Sequence, residues 1–250
     1  MKHAELAAQL DAAADRLTRK VLAAMYTDPF WHERFGERAD RHGQKDGRFH
    51  IDYLIQALHA GDPTILENYA RWLQPVLTSR GMSTRHLADN FALLAGAIRD
   101  EAWRDGDAAI RLLDGARAAL EYPHAPARDI QRAAPALAAV AADVLAARSA
   151  DRTPWRAVTG EASRARCVDE LVTLALYVAD AIALADPAVF TRHAVWLAGF
   201  LDRHQVPRGY LIDCLEALAA AAGRALGPAV LPALRGVIDP ALAELARLAP

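Results

Sequence analysis

One segment of this chain occurs twice. Asp62-Pro63-Thr64-Ile65-Leu66 returns 124 positions later as Asp186-Pro187-Ala188-Val189-Phe190. The same offset carries Trp31, Gly36 and Glu37 onto Trp155, Gly160 and Glu161, Tyr53 onto Tyr177, and Trp72 onto Trp196. It also carries Leu77 onto Leu201, Leu87 onto Leu211 and Asp89 onto Asp213. Ile65 pairs with Val189, Val76 with Phe200 and Met82 with Val206, and no gap is needed between Trp31 and Ala97. The chain has only 5 tryptophans, so two tryptophan pairs in register are hard to produce by chance. A repeat of this length predicts two copies of one structural unit. The copies are expected at 1–121 and 128–250, joined by a Pro-rich linker at 122–127 that holds Pro123 and Pro126.

Within each copy the apolar residues recur with a period near 3.6, not 2, so the expected unit is helical. Alanine-rich composition agrees, because alanine loses no side-chain entropy in a helix. The first helix spans His3 to Met25, with Leu6, Leu10, Ala13, Leu17, Val21 and Ala24 on one stripe. Thr27-Asp28-Pro29 ends it, and a shorter helical stretch carries Trp31 and Phe35. Asp46 reads as the cap of a helix from Gly47 to Ala60. Gly61-Asp62-Pro63 stops that helix and starts the next, with Pro63 at its first position. On the helix after Pro63, Ile65, Leu66, Tyr69, Trp72, Leu73, Val76 and Leu77 are expected to be buried, as is Trp196 in the second copy. Ser83 or Thr84 starts another helix, and Asp105 or Asp107 the last of the copy. The expected fold class is all-α: a tandem duplicated helical bundle, about five helices per copy, around a pseudo-two-fold axis.

Charge and cysteine usage narrow the function classes. The formal net charge is −2 and arginines are interleaved with acids, so no basic stripe draws the chain to nucleic acid. Cys167 and Cys214 form no CxxC pattern and read as small buried fillers. The first residues lack the layout of a signal peptide, and the apolar run Leu215–Leu226 is broken by Glu216 and Arg224. The expectation is a cytoplasmic protein with no membrane segment.

The copies differ most in histidine. His32, His42, His50, His59 and His86 of the first become Arg156, Arg166, Leu174, Ala183 and Tyr210 in the second. A site is therefore expected in one copy, around His50. Asp46 and His50 stand four residues apart, on one face of a helix, a spacing used by metal-binding pairs. Glu33 could add a carboxylate and His86 an imidazole, so Glu33, Asp46 and His50 are the candidate metal ligands. A tetrapyrrole is the other cofactor considered. It would take an axial His50 or His86 in a pocket of Trp31, Phe35, Phe49, Tyr53, Tyr69 and Phe91. No Glu-x-x-His pair of the two-iron type is present.

Trp31, nine residues, then Arg41-His42 is similar to the Trp-x9-Glu-His motif of the helical modules of light-sensing B12 proteins. That resemblance implies a cobalamin capped by Trp31 and His42. It covers one short motif and departs from it at Arg41. Asp202-Arg203-His204 starts like the Asp-x-His-x-x-Gly loop of cobalamin-binding domains, but Pro207 holds the glycine position.

Hydrolase, kinase and dinucleotide signatures are lacking: there is no Gly-x-Ser-x-Gly, no phosphate loop and no Gly-x-Gly-x-x-Gly. The expected function is non-catalytic, a helical module for ligand sensing or partner binding. Its partner would be a small ligand or a protein, and a homo-oligomer is compatible with it. A metal- or tetrapyrrole-dependent sensor or oxygen-using enzyme, centred on His50, is the alternative.

Overall fold

The computed structural model describes residues 3–149 and 161–248. Trp155, Arg156 and Gly160, expected to match Trp31, His32 and Gly36, lie outside these. Among the described residues every regular element is a helix. The helices are α1 (Ala4–Met25), α2 (Phe30–Phe35), α3 (Glu37–Ala60), α4 (Thr64–Thr78), α5 (Thr84–Asp100) and α6 (Gly106–Ala118). They continue as α7 (Ala127–Ser149), α8 (Glu161–Ala183), α9 (Pro187–Arg203), α10 (Gly209–Leu226) and α11 (Leu231–Arg247). The chain divides into two compact units, residues 1–76 with 85–121, and residues 77–84 with 122–250. Segment 77–84, assigned by sequence to the first copy, thus clusters with the second unit.

In the first unit, α1 packs against α3. Leu6, Leu10, Leu17 and Val21 of α1 meet Ile51, Leu54 and Leu58 of α3 within the buried core of that unit. The two helices approach closely because α3 offers Gly43 and Gly47. A Cβ at Gly47 would collide with the buried Thr18 side chain, and one at Gly43 with the Tyr26 hydroxyl. Arg48 ties the pair at the surface through Asp11 of α1, and Asp52 on its own helix holds it in place.

Two sequence expectations are corrected here. First, α3 starts at Glu37 and runs through Asp46, so Asp46 is an exposed mid-helix residue and not a cap. The real break is Gly36, whose φ of 55° ends α2; residues 37–46 hold no proline, and Gly43 stays helical within α3. Second, Trp72 is not buried but 60% exposed, and Trp196 is only half-buried. The buried stripe of α4 is Leu66, Tyr69, Ala70 and Leu73. At 3.6 residues per turn, Trp72 sits about 120° around the helix from Leu66. Ile65 and Val76 flank the stripe and are half-buried. The expected Asp62 cap is present: its Oδ1 accepts from the Thr64 N–H at 2.9 Å and from the Thr64 hydroxyl at 2.7 Å.

In the second unit, α7 lies against α8 and α10, and α9 against α11. The core is filled by Ile130, Leu171, Tyr177, Phe190, Leu215 and Ile238. Against the expectation of no membrane-length segment, Ala127–Ala147 is long and apolar enough to cross a membrane by length and composition; in this unit the helix packs on α8 and α10. Asp180 on α8 is fully buried among these apolar residues. Its Oδ2 accepts from the Thr84 N–H at 3.0 Å, and its Oδ1 from the hydroxyls of Thr84 at 2.6 Å and Tyr122 at 2.7 Å. Ser83 donates as well. Tyr177, one turn earlier on α8, donates to the Gly81 carbonyl at 3.0 Å. Segment 77–84 is thereby fastened to α8 by polar bonds at Gly81, Ser83 and Thr84.

Three stability outcomes follow from these contacts. Replacing Asp180 by Leu leaves the Thr84 N–H and the Tyr122 hydroxyl without their acceptor, and should cost at least about 2 kcal/mol. Trp72→Ala should cost under about 1 kcal/mol, as for other exposed positions. Urea unfolding of the two variants under one set of conditions checks the contrast. Gly47→Ala should cost about 1–3 kcal/mol, the range for overpacking a tight contact, and Thr18→Ala should restore part of that loss in the double variant.

Candidate functional site

The residues singled out around His50 fall into two clusters in the first unit. The first is built on α3 and α4. His50 is buried, 4% exposed, and its Nδ1 lies 2.8 Å from the Tyr69 hydroxyl. Tyr53, one turn along α3, stacks on Tyr69 with ring centroids 4.0 Å apart and planes at 16°. Phe91 of α5 meets the His50 ring edge-on at 5.2 Å. Tyr69 leads on to Trp72, at 6.2 Å. The result is a ladder of rings that starts at a buried imidazole and ends at an exposed indole.

Burial sets the charge state of this ladder. Desolvation pushes the His50 pKa down to about 4, so the ring is neutral at pH 7. Burial also raises the Tyr69 phenol, helped by the negative charges of Asp46 and Asp52. Tyr69 therefore keeps its proton. His50 and Tyr69 form a neutral hydrogen-bonded pair, with the donor set by the imidazole tautomer.

The second cluster caps the end of α1. Trp31 of α2 is buried, and the His86 ring of α5 lies 5.0 Å from it and 4.8 Å from Phe30. Tyr26 and Phe35 complete the set, each 5.9 Å from Trp31. The Tyr26 hydroxyl donates to the Ala39 carbonyl at 2.6 Å, and burial with the nearby Asp40 and Asp46 raises its pKa to about 12. Burial, then Arg85, lowers the His86 pKa to about 3.

His42, Glu33 and Asp46 are exposed on the surface. Among the described residues no three His, Cys, Asp or Glu side chains are grouped so that they could hold a metal ion. His50 finds Tyr69 as its polar partner, and any axial role would fall to its Nε2, because Nδ1 faces the tyrosine. The sequence places Tyr69 on the apolar stripe of α4 and among the rings of a tetrapyrrole pocket, not opposite His50 as its hydrogen-bond partner. The clue to its role was the one polar atom that a buried tyrosine must satisfy.

Two features of the second unit were missed by sequence reasoning. Asp180 could have been found as the lone acid within the apolar run 171–185. The other feature is a meeting of Cys167 and Glu170 at Tyr210. The Tyr210 hydroxyl is 3.6 Å from Cys167 Sγ and 3.2 Å from Glu170 Oε2. No local spacing announces this meeting, because the three residues come from α8 and α10.

Compared with protein-family models, with curated proteins and with solved structures, the chain matches none.

Acid should weaken the first unit in a defined window. The folded-state pKa of His50, about 4, lies below the ordinary value of 6.5. As pH falls from 6.5 to 4 the unfolded chain takes the proton first, so stability present above pH 6.5 is lost over that range. The slope should reach about 1.4 kcal/mol per pH unit for one such histidine. His86 acts in the same direction, down to about pH 3. Urea unfolding at pH 7, 5.5 and 4.5 should show this loss, and a shallower one in His50→Leu. An equal slope in the variant would place the acid sensitivity elsewhere.

Proposed function

We propose that the chain is a duplicated, intracellular, non-catalytic helical protein that binds a small ligand or a protein partner, with the contact in the first unit at the Trp72 end of the ring ladder. Several observations support the duplication. Helices α7, α8, α9, α10 and α11 each begin within one residue of the point 124 beyond the starts of α1, α3, α4, α5 and α6. The caps repeat too: Thr64 N–H to Asp62 Oδ1 is 2.9 Å and Ala188 N–H to Asp186 Oδ1 is 3.0 Å. Positive φ recurs at Gly61 and Ala185, and at Gly81 and Gln205. The ring geometry recurs as well. Tyr177 stacks on His193 at 3.6 Å and 14°, as Tyr53 does on Tyr69, and His193 leads to Trp196 at 6.1 Å.

The exposure of Trp72 carries the functional reading. In the second unit the ladder goes on: Phe200 lies 5.4 Å from Trp196, and His204 4.4 Å from Phe200. The first sequence copy has Val76 and Arg80 at those positions, and the Trp72 indole is left 60% in water. The fold therefore has a way to cover this ring and does not use it here. A fixed, exposed tryptophan on a rigid helix is the side chain that most often dominates a binding contact. The buried His50–Tyr69 bond and the Tyr53 stack hold the ladder beneath it in one arrangement.

The test is a thermal-shift screen of planar aromatic and cationic compounds on the purified protein, repeated on Trp72→Ala and Trp196→Ala. A compound that raises Tm should lose its effect in Trp72→Ala and keep it in Trp196→Ala. Stabilisation that survives in Trp72→Ala would count against the proposal. So would stoichiometric iron or a visible absorption band that disappears in His50→Ala, which would favour a metal or tetrapyrrole centre.

A further inference from the structure

Helices α1, α3 and α5 leave a small cavity where they meet. It is lined by Thr18, Val21 and Leu22 of α1, Gly47 of α3, and Asn90 and Leu94 of α5. Its volume is about 10 Å³, close to the least that holds one water. Thr18 is buried, 2% exposed, and its Oγ1 meets no hydrogen-bond partner within the protein. It does not even use the carbonyl one turn back, the usual resort of a threonine inside a helix. The hydroxyl faces the side that Gly47 leaves open: a Cβ on that glycine would stand 3.1 Å from Oγ1. Asn90 brings a second polar group to the lining, and its Nδ2 has only a weak acceptor, Met25 Sδ, at 3.2 Å.

The second unit is built differently at the corresponding residues. The offset of 124 holds through α1 as well, since buried Leu10, Leu17, Thr18 and Val21 correspond to buried Ala134, Ala141, Ala142 and Leu145 of α7. By that offset Ala142 stands for Thr18, Leu171 for Gly47, Cys214 for Asn90 and Leu218 for Leu94. All four belong to the buried apolar core of the second unit. The helical pattern therefore requires neither the hydroxyl, nor the amide, nor the missing side chain at residue 47. A buried hydroxyl without a partner is costly, and an apolar residue would relieve it. A hydroxyl and an amide kept together beside a space of this size call for a third participant.

We propose that this cavity is a binding site for one water molecule, held by the Thr18 hydroxyl and the Asn90 side-chain amide, which joins α1 to α5 beside Gly47. The size admits one water. Water both donates and accepts, so it serves the hydroxyl whichever way the O–H turns. Two polar groups are the least that an internal water needs, and the cavity lining has two. The apolar side chains of Val21, Leu22 and Leu94 form the rest of the wall and offer a larger polar solute nothing to bond. Leu22 and Asn90 are half-buried, which gives the water a way in from the surface. The site is separate from the Trp72 contact and does not depend on it.

The experiment is a high-resolution crystal structure of the full chain, joined to NMR transfer of magnetisation from water to the Thr18 methyl group. One ordered water peak is expected within about 3 Å of Thr18 Oγ1, with transfer of the sign that a long-lived water gives. Stability is the second readout, because the two cases differ in sign. With the water in place, Thr18→Val removes a satisfied hydroxyl and leaves the water short of a partner, so Tm should fall by about 2–4 °C. With a dry cavity, the same change removes a buried polar group that nothing binds, and Tm should rise. Thr18→Ser keeps the hydroxyl and should keep the water peak. The proposal is overturned by a parent structure without that peak, by density larger than one water, or by a peak that persists unchanged in Thr18→Val. A Tm for Thr18→Val equal to or above the parent's overturns it as well. The parent and Thr18→Ser structures decide the matter even where Thr18→Val does not fold.

Discussion

A carboxylate removed from water must be surrounded by donors, and Asp180 meets that demand with groups distant in sequence. Thr84 gives it a main-chain N–H and a hydroxyl, and Tyr122 a second hydroxyl. Burial raises the Asp180 carboxyl while these donors pull it back, so the group is held between two large opposing effects. Any arrangement that frees Thr84 or Tyr122 strands a buried acid. This specifies where segment 77–84 runs and where the chain passes after Glu121, more sharply than apolar contacts do. Hydrophobic burial is tolerant of small shifts, whereas a hydrogen bond fails within a few tenths of an ångström.

The first unit solves a different problem. Its α1–α3 contact is close because Gly43 and Gly47 carry no side chain, and Thr18 and Tyr26 occupy the space. One turn beyond Gly47, His50 replaces what is a leucine in the second unit, Leu174. The imidazole is tolerated because Tyr69 satisfies it and because it remains neutral. In the second unit the imidazole has moved to the partner helix, as His193, and the tyrosine remains at Tyr177. The stacked pair Tyr53–Tyr69 thus recurs as Tyr177–His193, with an imidazole in place of the second phenol. The pair acts as packing in both units. Only in the first does the ladder end in an uncovered indole.

Helix positions were legible in the sequence because they depend on neighbours a few residues away. The stops at Thr27-Asp28-Pro29 and Gly61-Asp62-Pro63, and the Asp62 cap, are local steric and hydrogen-bonding events, and they stand where the residues said. The misplaced start of α3 has the same local basis. Asp46 is a competent cap, but Gly36 had already broken the chain and nothing between needed a second break. Trp72 failed for a geometric reason. A stripe drawn to include residues 65, 66, 69, 72, 73 and 76 covers most of a helix circumference, and only contact with other helices tells which part of it is shielded.

The sequence by itself determined the helical class, the order and limits of most helices, and the 124-residue correspondence between positions, since each is written in short-range periodicity or in direct identity. Only the tertiary structure decided who meets whom: His50 with Tyr69, His86 with Phe30 and Trp31, Asp180 with Thr84 and Tyr122, and Cys167 with Tyr210. These encounters join helices separated by long stretches of chain. They depend on how apolar faces pack, and a helix's own sequence records that it has such a face without recording which partner will cover it.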